Sequence, residues 1–400
     1  MDLAHRMGEL TLTVLGPDRQ PWCERPVTVA QRRHAFAFGN IAFDLLDLEP
    51  DTLEQYTRRW LNLFNTATLP FYWGRYEPVR GSTDAERITR AARWLVEHDV
   101  TVKGHPLVWH TVQPAWLLDL DLDEVERLQR QRIRDIVGGF AGLIDVWDAI
   151  NEVVIMPVFT NGDNAITRLA LARGRIAMVR LAFAEARAAN PAATLVLNDF
   201  DLSSAYECLI EGVLEAGVAI DAIGLQTHMH QGYPGEEELT GILDRFARYG
   251  LPLHLTETTL VSGHLMPPDI VDLNDYQVPD WPSTPEGEAR QADDIERHYR
   301  SLVAHPAVAS INYWGLSDRD AWLGAPAGLL RADGTPKPAY AALDALIKGE
   351  WWLQPTEKRT DAEGRITVHG FFGEYTVAGG DRTAAFTVTP DSTAITVELT

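Results

Sequence analysis

Trp147-Asp148-Ala149-Ile150-Asn151-Glu152 is the stretch on which the rest of the chain turns. The run from Leu143 to Ile150 is short, apolar and rich in Ile, Val and Trp, which predicts a buried strand. A strand buried on both faces belongs to a parallel sheet flanked by helices. When such strands close into a barrel, chemistry collects where they end. Glu152 stands at such an end, behind Asn151. Leu253-His254-Leu255-Thr256-Glu257 repeats the pattern and supplies a second carboxylate. The functional reading depends on Glu152 and Glu257 facing one another.

Outward from this stretch, strand-like and helical runs alternate from His34 to about residue 347. The strand candidates are Ala35–Ile41, Thr66–Trp73, Thr101–Trp109, Leu143–Ile150, Thr194–Asn198, Ala222–His228, Leu251–Glu257 and Ala309–Leu316. Leu53, Tyr56, Trp60, Leu63 and Phe64 share one helical face, as do Ile88, Ala91, Ala92, Leu95 and Val96. Further helices are predicted near 124–137, 165–189, 204–216, 236–249, 286–304 and 338–347. Eight alternations predict an α/β chain folded as a (β/α)8 TIM barrel. An open doubly wound sheet is the runner-up, but no Gly-rich phosphate turn follows the first strand.

The ends read differently. Leu10–Leu15 and Val27–Gln31 are strand-like, with a turn at Gly16-Pro17-Asp18. Residues 357–400 are Thr-rich and alternating, with strand candidates Arg365–His369, Glu374–Val377, Ala384–Thr389 and Ala394–Leu399. Four strands alone are marginal, so the N-terminal pair is expected to complete a small accessory β-sandwich. The expected division is 1–33 for the N-terminal strands, 34–350 for the barrel and 351–400 for the C-terminal unit. The sandwich is read as a structural appendage in preference to a glycan platform, since a fold does not imply a site.

Composition narrows the partners. Lys+Arg of 35 against Asp+Glu of 57 leaves a net charge of −22, which repels nucleic acid and anionic membrane and tolerates a neutral sugar. Cys23 and Cys208 provide neither a disulfide framework nor a thiolate metal site. Met1 to Thr13 lacks a leader pattern and no apolar run spans a bilayer. The expectation is a cytoplasmic protein, or a secreted one if the chain has been trimmed. Nothing bears on oligomeric state.

Two carboxylates flanking a glycosidic bond are the minimum apparatus for its hydrolysis, one protonated to assist departure and one ionised to attack. A lone Glu at a strand end reads as a salt-bridge residue; this pair has specific company. Gly104-His105-Pro106-Leu107-Val108-Trp109-His110 ends the third strand and offers two imidazoles and an indole. Gln226-Thr227-His228 ends the sixth, where an imidazole can orient a carboxylate. Trp314 and Trp322 follow the eighth. The long loop Val261–Pro285, with Trp281, is expected to build part of the cleft. The histidines sit on different strands without paired ligand spacing, so no metal and no organic cofactor are expected.

These motifs resemble glycoside hydrolase family 10, the endo-β-1,4-xylanase family, over about residues 34–347. Gly104–His110 is similar to its Gly-His-Thr-Leu-Val-Trp-His, Trp147–Glu152 to its Trp-Asp-Val-Val-Asn-Glu, and Gly224–His228 to its Gly-Ile-Gln-Ser-His. Thr256-Glu257, the spacing of Trp314 and Trp322, and Pro336-Lys337-Pro338-Ala339-Tyr340 fit as well. The resemblance implies Glu152 as acid/base, Glu257 as nucleophile, Asn151 as donor to the sugar 2-hydroxyl and His228 as partner of Glu257. It implies sugar contacts from His105, Trp109, His110, Gln226, Trp314 and Trp322.

Two departures stand out. Where the family carries Glu-Asn and a following Lys on the second strand, this chain has Thr68-Leu69-Pro70-Phe71-Tyr72-Trp73-Gly74-Arg75. Polar grips have become aromatic surface, so Phe71, Tyr72, Trp73 and Arg75 join the candidate binding residues and the sugar accepted is expected to change. Thr259 stands where the family often has Asp, which removes a carboxylate from behind His228. The expected function is a retaining hydrolase of β-linked, xylan-type glycosides acting by double displacement on a carbohydrate substrate. The alternatives are an exo-acting or small-glycoside enzyme, a transglycosidase, and a non-catalytic glycan-binding protein.

Overall fold

The computed structural model describes residues 2–46 and 50–400; the side chain of Leu53 lies outside the described residues. Strands β1 (Met7–Leu15) and β2 (Pro26–His34) precede the barrel strands. These are β3 (Ala37–Ile41), β4 (Thr66–Pro70), β5 (Thr101–His105), β6 (Val146–Asn151), β7 (Thr194–Asp199), β8 (Ala222–Met229), β9 (Leu253–Leu260) and β10 (Val308–Tyr313). They close in sequence order, with β10 pairing parallel to both β9 and β3. Helices α1 (Pro50–Leu63), α2 (Trp73–Tyr76), α3 (Ala85–Glu97), α4 (Leu122–Gly139), α5 (Ala165–Arg173), α6 (Arg175–Ala189), α7 (Ser204–Glu215), α8 (Glu236–Ala247), α9 (Pro285–Ala304) and α10 (Pro338–Asp344) complete the layers. The (β/α)8 barrel read from the alternation is the observed fold.

Boundaries moved for local reasons. The predicted strand Thr66–Trp73 stops at Pro70, and Trp73 opens the single turn α2. The run Thr101–Trp109 stops at His105, where Pro106 has no N–H for a ladder. The predicted helix 165–189 is two helices, because Gly174 at φ +86° ends one and starts the other.

Packing explains a motif glycine. Gly104 pairs across the sheet with Trp147, and a Cβ on it would lie 2.1 Å from the indole. Trp147 is fully buried only because that position is bare.

Strands β11 (Thr356–Arg359), β12 (Arg365–Phe371), β13 (Gly373–Gly379), β14 (Arg382–Val388) and β15 (Ala394–Glu398) follow the barrel. β1 lies between β12 and β15, and β2 between β11 and β13, so both chain ends share one two-sheet unit. Its own core joins Leu10, Leu12, Val14, Val27 and Val29 to Ile366, Val368, Tyr375, Val377 and Val388. The Arg6 guanidinium ties the unit to the barrel through the carbonyls of Val303, His305 and Val308. No helix among the described residues is long and apolar enough to cross a membrane.

Candidate active site

Glu152 is the first residue past β6 and sits at φ +58°, a left-handed conformation that costs a non-glycine residue about 1–3 kcal/mol. The turn swings its carboxylate over the barrel mouth. Oε2 accepts from the Trp109 indole N–H at 2.8 Å, and Oε1 accepts from Asn151 Nδ2 at 3.1 Å and Gln226 Nε2 at 3.4 Å. His110 Nε2 stands 3.9 Å from Oε2.

Glu257 lies within β9 and is buried. Its Oε1 accepts from Asn198 Nδ2 at 3.1 Å, and its Oε2 faces His228 Nε2 at 3.1 Å. Asn198 also donates to Asn151 Oδ1 at 2.7 Å, and Gln226 donates to the same oxygen at 3.0 Å. A chain of amides therefore runs from Glu152 through Asn151 to Asn198 and Glu257. Asn198 is locked by the Thr256 hydroxyl at 2.6 Å and by Gly224, where a Cβ would lie 2.4 Å from its Oδ1.

Burial, then the neighbouring Glu257 charge, raises Glu152 to about 8. Burial raises Glu257 to about 7, opposed by His105. Both carboxyls are thus held above the ordinary carboxylate range, and the Glu257 charge is one cause of the rise at Glu152.

Charge is arranged beneath the pair. Asp148 Oδ2 binds Lys103 Nζ and His105 Nδ1, each at 2.7 Å. Burial disfavours the Asp148 charge, but Lys103 and His105 outweigh it and keep the carboxyl below its ordinary range. With Nδ1 donating to Asp148, His105 turns Nε2 toward Glu257 Oε1 at 3.9 Å.

His228 is held neutral, lowered to about 3 by burial. A neutral imidazole donates from one nitrogen only. The Glu257 carboxylate accepts that N–H from Nε2, so Nδ1 accepts from the Thr259 hydroxyl at 3.1 Å. Thr259 faces His230 Nδ1 in turn at 3.4 Å. A hydroxyl thus stands behind the imidazole on the neighbouring strand.

Trp314 packs against His105 and His228, and Trp322 stands 37% exposed with its ring 4.8 Å from that of His228. His105, Trp109, His110, Asn151, Gln226, His228, Trp314 and Trp322 therefore gather around the two carboxylates. The second-strand candidates divide. Tyr72 reaches the cleft, its ring 5.6 Å from His105 and 5.4 Å from Trp109. Phe71 does not; it is fully buried against Phe140 and Trp147. Trp73 is buried against Trp116 and under the Arg132 guanidinium. Arg75 is exposed, its guanidinium 5.7 Å from the Tyr72 ring. Trp281 is buried in a side cluster with Val261 and Met266, its ring 6.0 Å from His230. Sequence reading missed Asn198, Lys103 and Phe43 as parts of the site. Asn198 had a signal, an amide closing an apolar strand; Phe43 had none.

Among the described residues no group of three or more His, Cys, Asp or Glu side chains is placed to hold a metal ion. Comparison with known proteins agrees with the rim. The family model described as glycosyl hydrolase family 10 matches residues 42–346. Endo-1,4-β-xylanase B of Thermotoga neapolitana is 26% identical over 332 residues, covering 78% of this chain and 88% of that protein. The anti-sigma-I factor RsgI6 of Acetivibrio thermocellus is 25% identical over 380 residues, 93% of this chain but 45% of that protein. Xylanase 10B of Thermotoga petrophila, solved in complex with xylobiose, is similar in fold at a TM-score of 0.66 and 23% identity, covering 79% of this chain and 95% of that one. The family match spans well over half of the sequence and all but the first barrel strand, and on that ground the chain belongs to glycosyl hydrolase family 10 and is an O-glycosyl hydrolase.

Proposed function

We propose that the protein is a retaining β-glycosidase of xylan-type substrates, with Glu152 as acid/base and Glu257 as nucleophile. One observation carries this reading: the half-buried Glu152 carboxyl and the buried Glu257 carboxyl are joined by a chain of amides through Asn151 and Asn198. Protonated Glu152 donates to the glycosidic oxygen while ionised Glu257 attacks the anomeric carbon, and the C–O bond breaks as the glycosyl–Glu257 ester forms. Esterification removes the Glu257 charge, the second cause of Glu152's raised proton affinity. Glu152 then accepts a proton from the water that attacks the anomeric carbon and frees Glu257. Asn151 gives one Nδ2 hydrogen to Glu152 and has the other for the sugar 2-hydroxyl. His228, protonated on Nε2, orients Glu257 throughout.

Azide rescue tests both roles. Glu152→Ala should keep its first step on activated aryl glycosides and, with azide, yield the β-glycosyl azide. Glu257→Ala with azide should yield the α-glycosyl azide. Wild-type hydrolysis by Glu257→Ala would remove the nucleophile assignment. Equal loss by Glu152→Ala on activated and unactivated glycosides would remove the acid. Substrate class is read from xylosides, glucosides and arabinosides screened beside polymeric xylan.

A further inference from the structure

We propose that Tyr72 seals one end of the cleft, so that the enzyme accepts a single sugar before the cleaved bond and releases monosaccharide from the non-reducing ends of chains. The proposal rests on the roles given above to Glu152 and Glu257. Its basis is a closed circuit of four rings. Phe43 meets Tyr72 at 5.9 Å and 89°, and Tyr72 meets His105 at 5.6 Å and 86°. His105 meets Trp314 at 5.1 Å and 80°, and Trp314 returns to Phe43 at 5.8 Å and 78°. Every contact is edge-to-face, the arrangement aromatic quadrupoles favour. The four residues come from the ends of β3, β4, β5 and β10, which are consecutive around the barrel.

Tyr72 is held in place from both its backbone and its ring. Its carbonyl accepts from the N–H groups of Arg75 at 3.0 Å and Tyr76 at 2.8 Å, which pins the backbone. The Trp109 ring lies 5.4 Å away, and that indole is bonded to Glu152. Burial, then the charges of Glu257 and, more weakly, Glu152, push the phenol up, so it stays protonated beside the reacting pair.

A line from Glu152, just past β6, to Glu257 on β9 divides the rim in two. One arc holds β7 and β8, where Phe200 follows β7 and is 47% exposed. The other holds β10, β3, β4 and β5, and the ring circuit closes it. A glycosidase needs room for a leaving group beyond the anomeric carbon but for only one sugar before it. A blocked arc is therefore compatible with turnover only where the non-reducing sugar lies. The Phe200 side is left for the departing chain.

The test follows the first sugar released from 4-nitrophenyl β-xylobioside and β-cellobioside, beside the monosaccharide xyloside and glucoside. Wild type should turn over a monosaccharide glycoside and release the monosaccharide first from the matching disaccharide glycoside. Tyr72→Ala should raise direct disaccharide release at least tenfold relative to wild type, and Tyr72→Phe, which keeps the ring, should not. Circular dichroism checks that each variant is folded. Direct disaccharide release by wild type overturns the seal and leaves the hydrolase reading standing. An unchanged product ratio in folded Tyr72→Ala also overturns it. No turnover of any of the four glycosides removes the hydrolase reading, and the seal with it.

Discussion

The barrel rim and the terminal sandwich are both built from alternating strands and aromatic side chains, and they use them in opposite ways. In the sandwich Tyr375 and Phe386 stack on each other inside, while Arg365, Thr367 and His369 point outward from β12. Among the described residues of the sandwich none is among the exposed large hydrophobic side chains. At the rim the half-buried Glu152 sits in a left-handed turn, the Glu257 carboxyl is buried, and Lys103 and Asp148 form an ion pair in the core. Burying such groups costs stability unless every charge finds a partner. The sandwich follows the rules of packing, and the rim departs from them where chemistry requires it.

The sharpest way to break that comparison is Glu257→Ala. Turnover should fall by on the order of 10^4-fold or more while thermal stability holds or rises, since a buried carboxyl has been removed. A large loss of melting temperature would put Glu257 among the structural residues instead. Tyr375→Ala should do the reverse. It empties a fully buried ring position and should cost about 3–5 kcal/mol of stability, with kcat of the surviving folded fraction unchanged.

The pH dependence of stability sharpens the contrast. Glu152 and Glu257 are raised to about 8 and about 7 in the folded state. Above the ordinary carboxyl range the unfolded chain has released protons that the folded chain still holds. Stability should therefore decline as pH rises toward 8, by up to about 1.4 kcal/mol per unit for each such group. Glu152→Gln should flatten the decline in melts taken between pH 5 and 8, and an unchanged slope would mean the rim does not store this strain. The smallest effect belongs to Thr259→Val. It removes the hydroxyl behind His228 without changing shape and should lower kcat/KM about fivefold, with a shifted acid limb in the pH profile. A uniform loss with no change of profile would make Thr259 a packing residue.

Much of this was legible before any coordinates. Alternation of apolar strands and amphipathic helices is a local property, and it survives in the sequence as periodicity. Strand ends were less legible. Thr66–Trp73 and Thr101–Trp109 each read as one apolar run, yet Pro70 and Pro106 mark where strand gives way to rim. Phe71 and Trp73 illustrate the difficulty. They flank Tyr72, have the same chemistry, and turn into the core while Tyr72 turns to the cleft.

The amino-acid order by itself determined the eightfold alternation, the carboxylate following the Trp147–Asn151 run and the strand-forming character of both termini, because each depends on neighbours a few positions away; it ended the strand of Glu257 too early, since β9 runs on to Leu260. Tertiary structure alone decided that Asn198 bridges the pair, that the Thr259 hydroxyl bonds Nδ1 of His228, and that Phe43 closes a circuit with Trp314. It also set the proton affinities of Glu152 and Glu257, which burial raises, with the Glu257 charge adding to the rise at Glu152 and His105 opposing it at Glu257. Those properties belong to distances between remote segments, and a linear sequence carries no record of distance until the barrel closes.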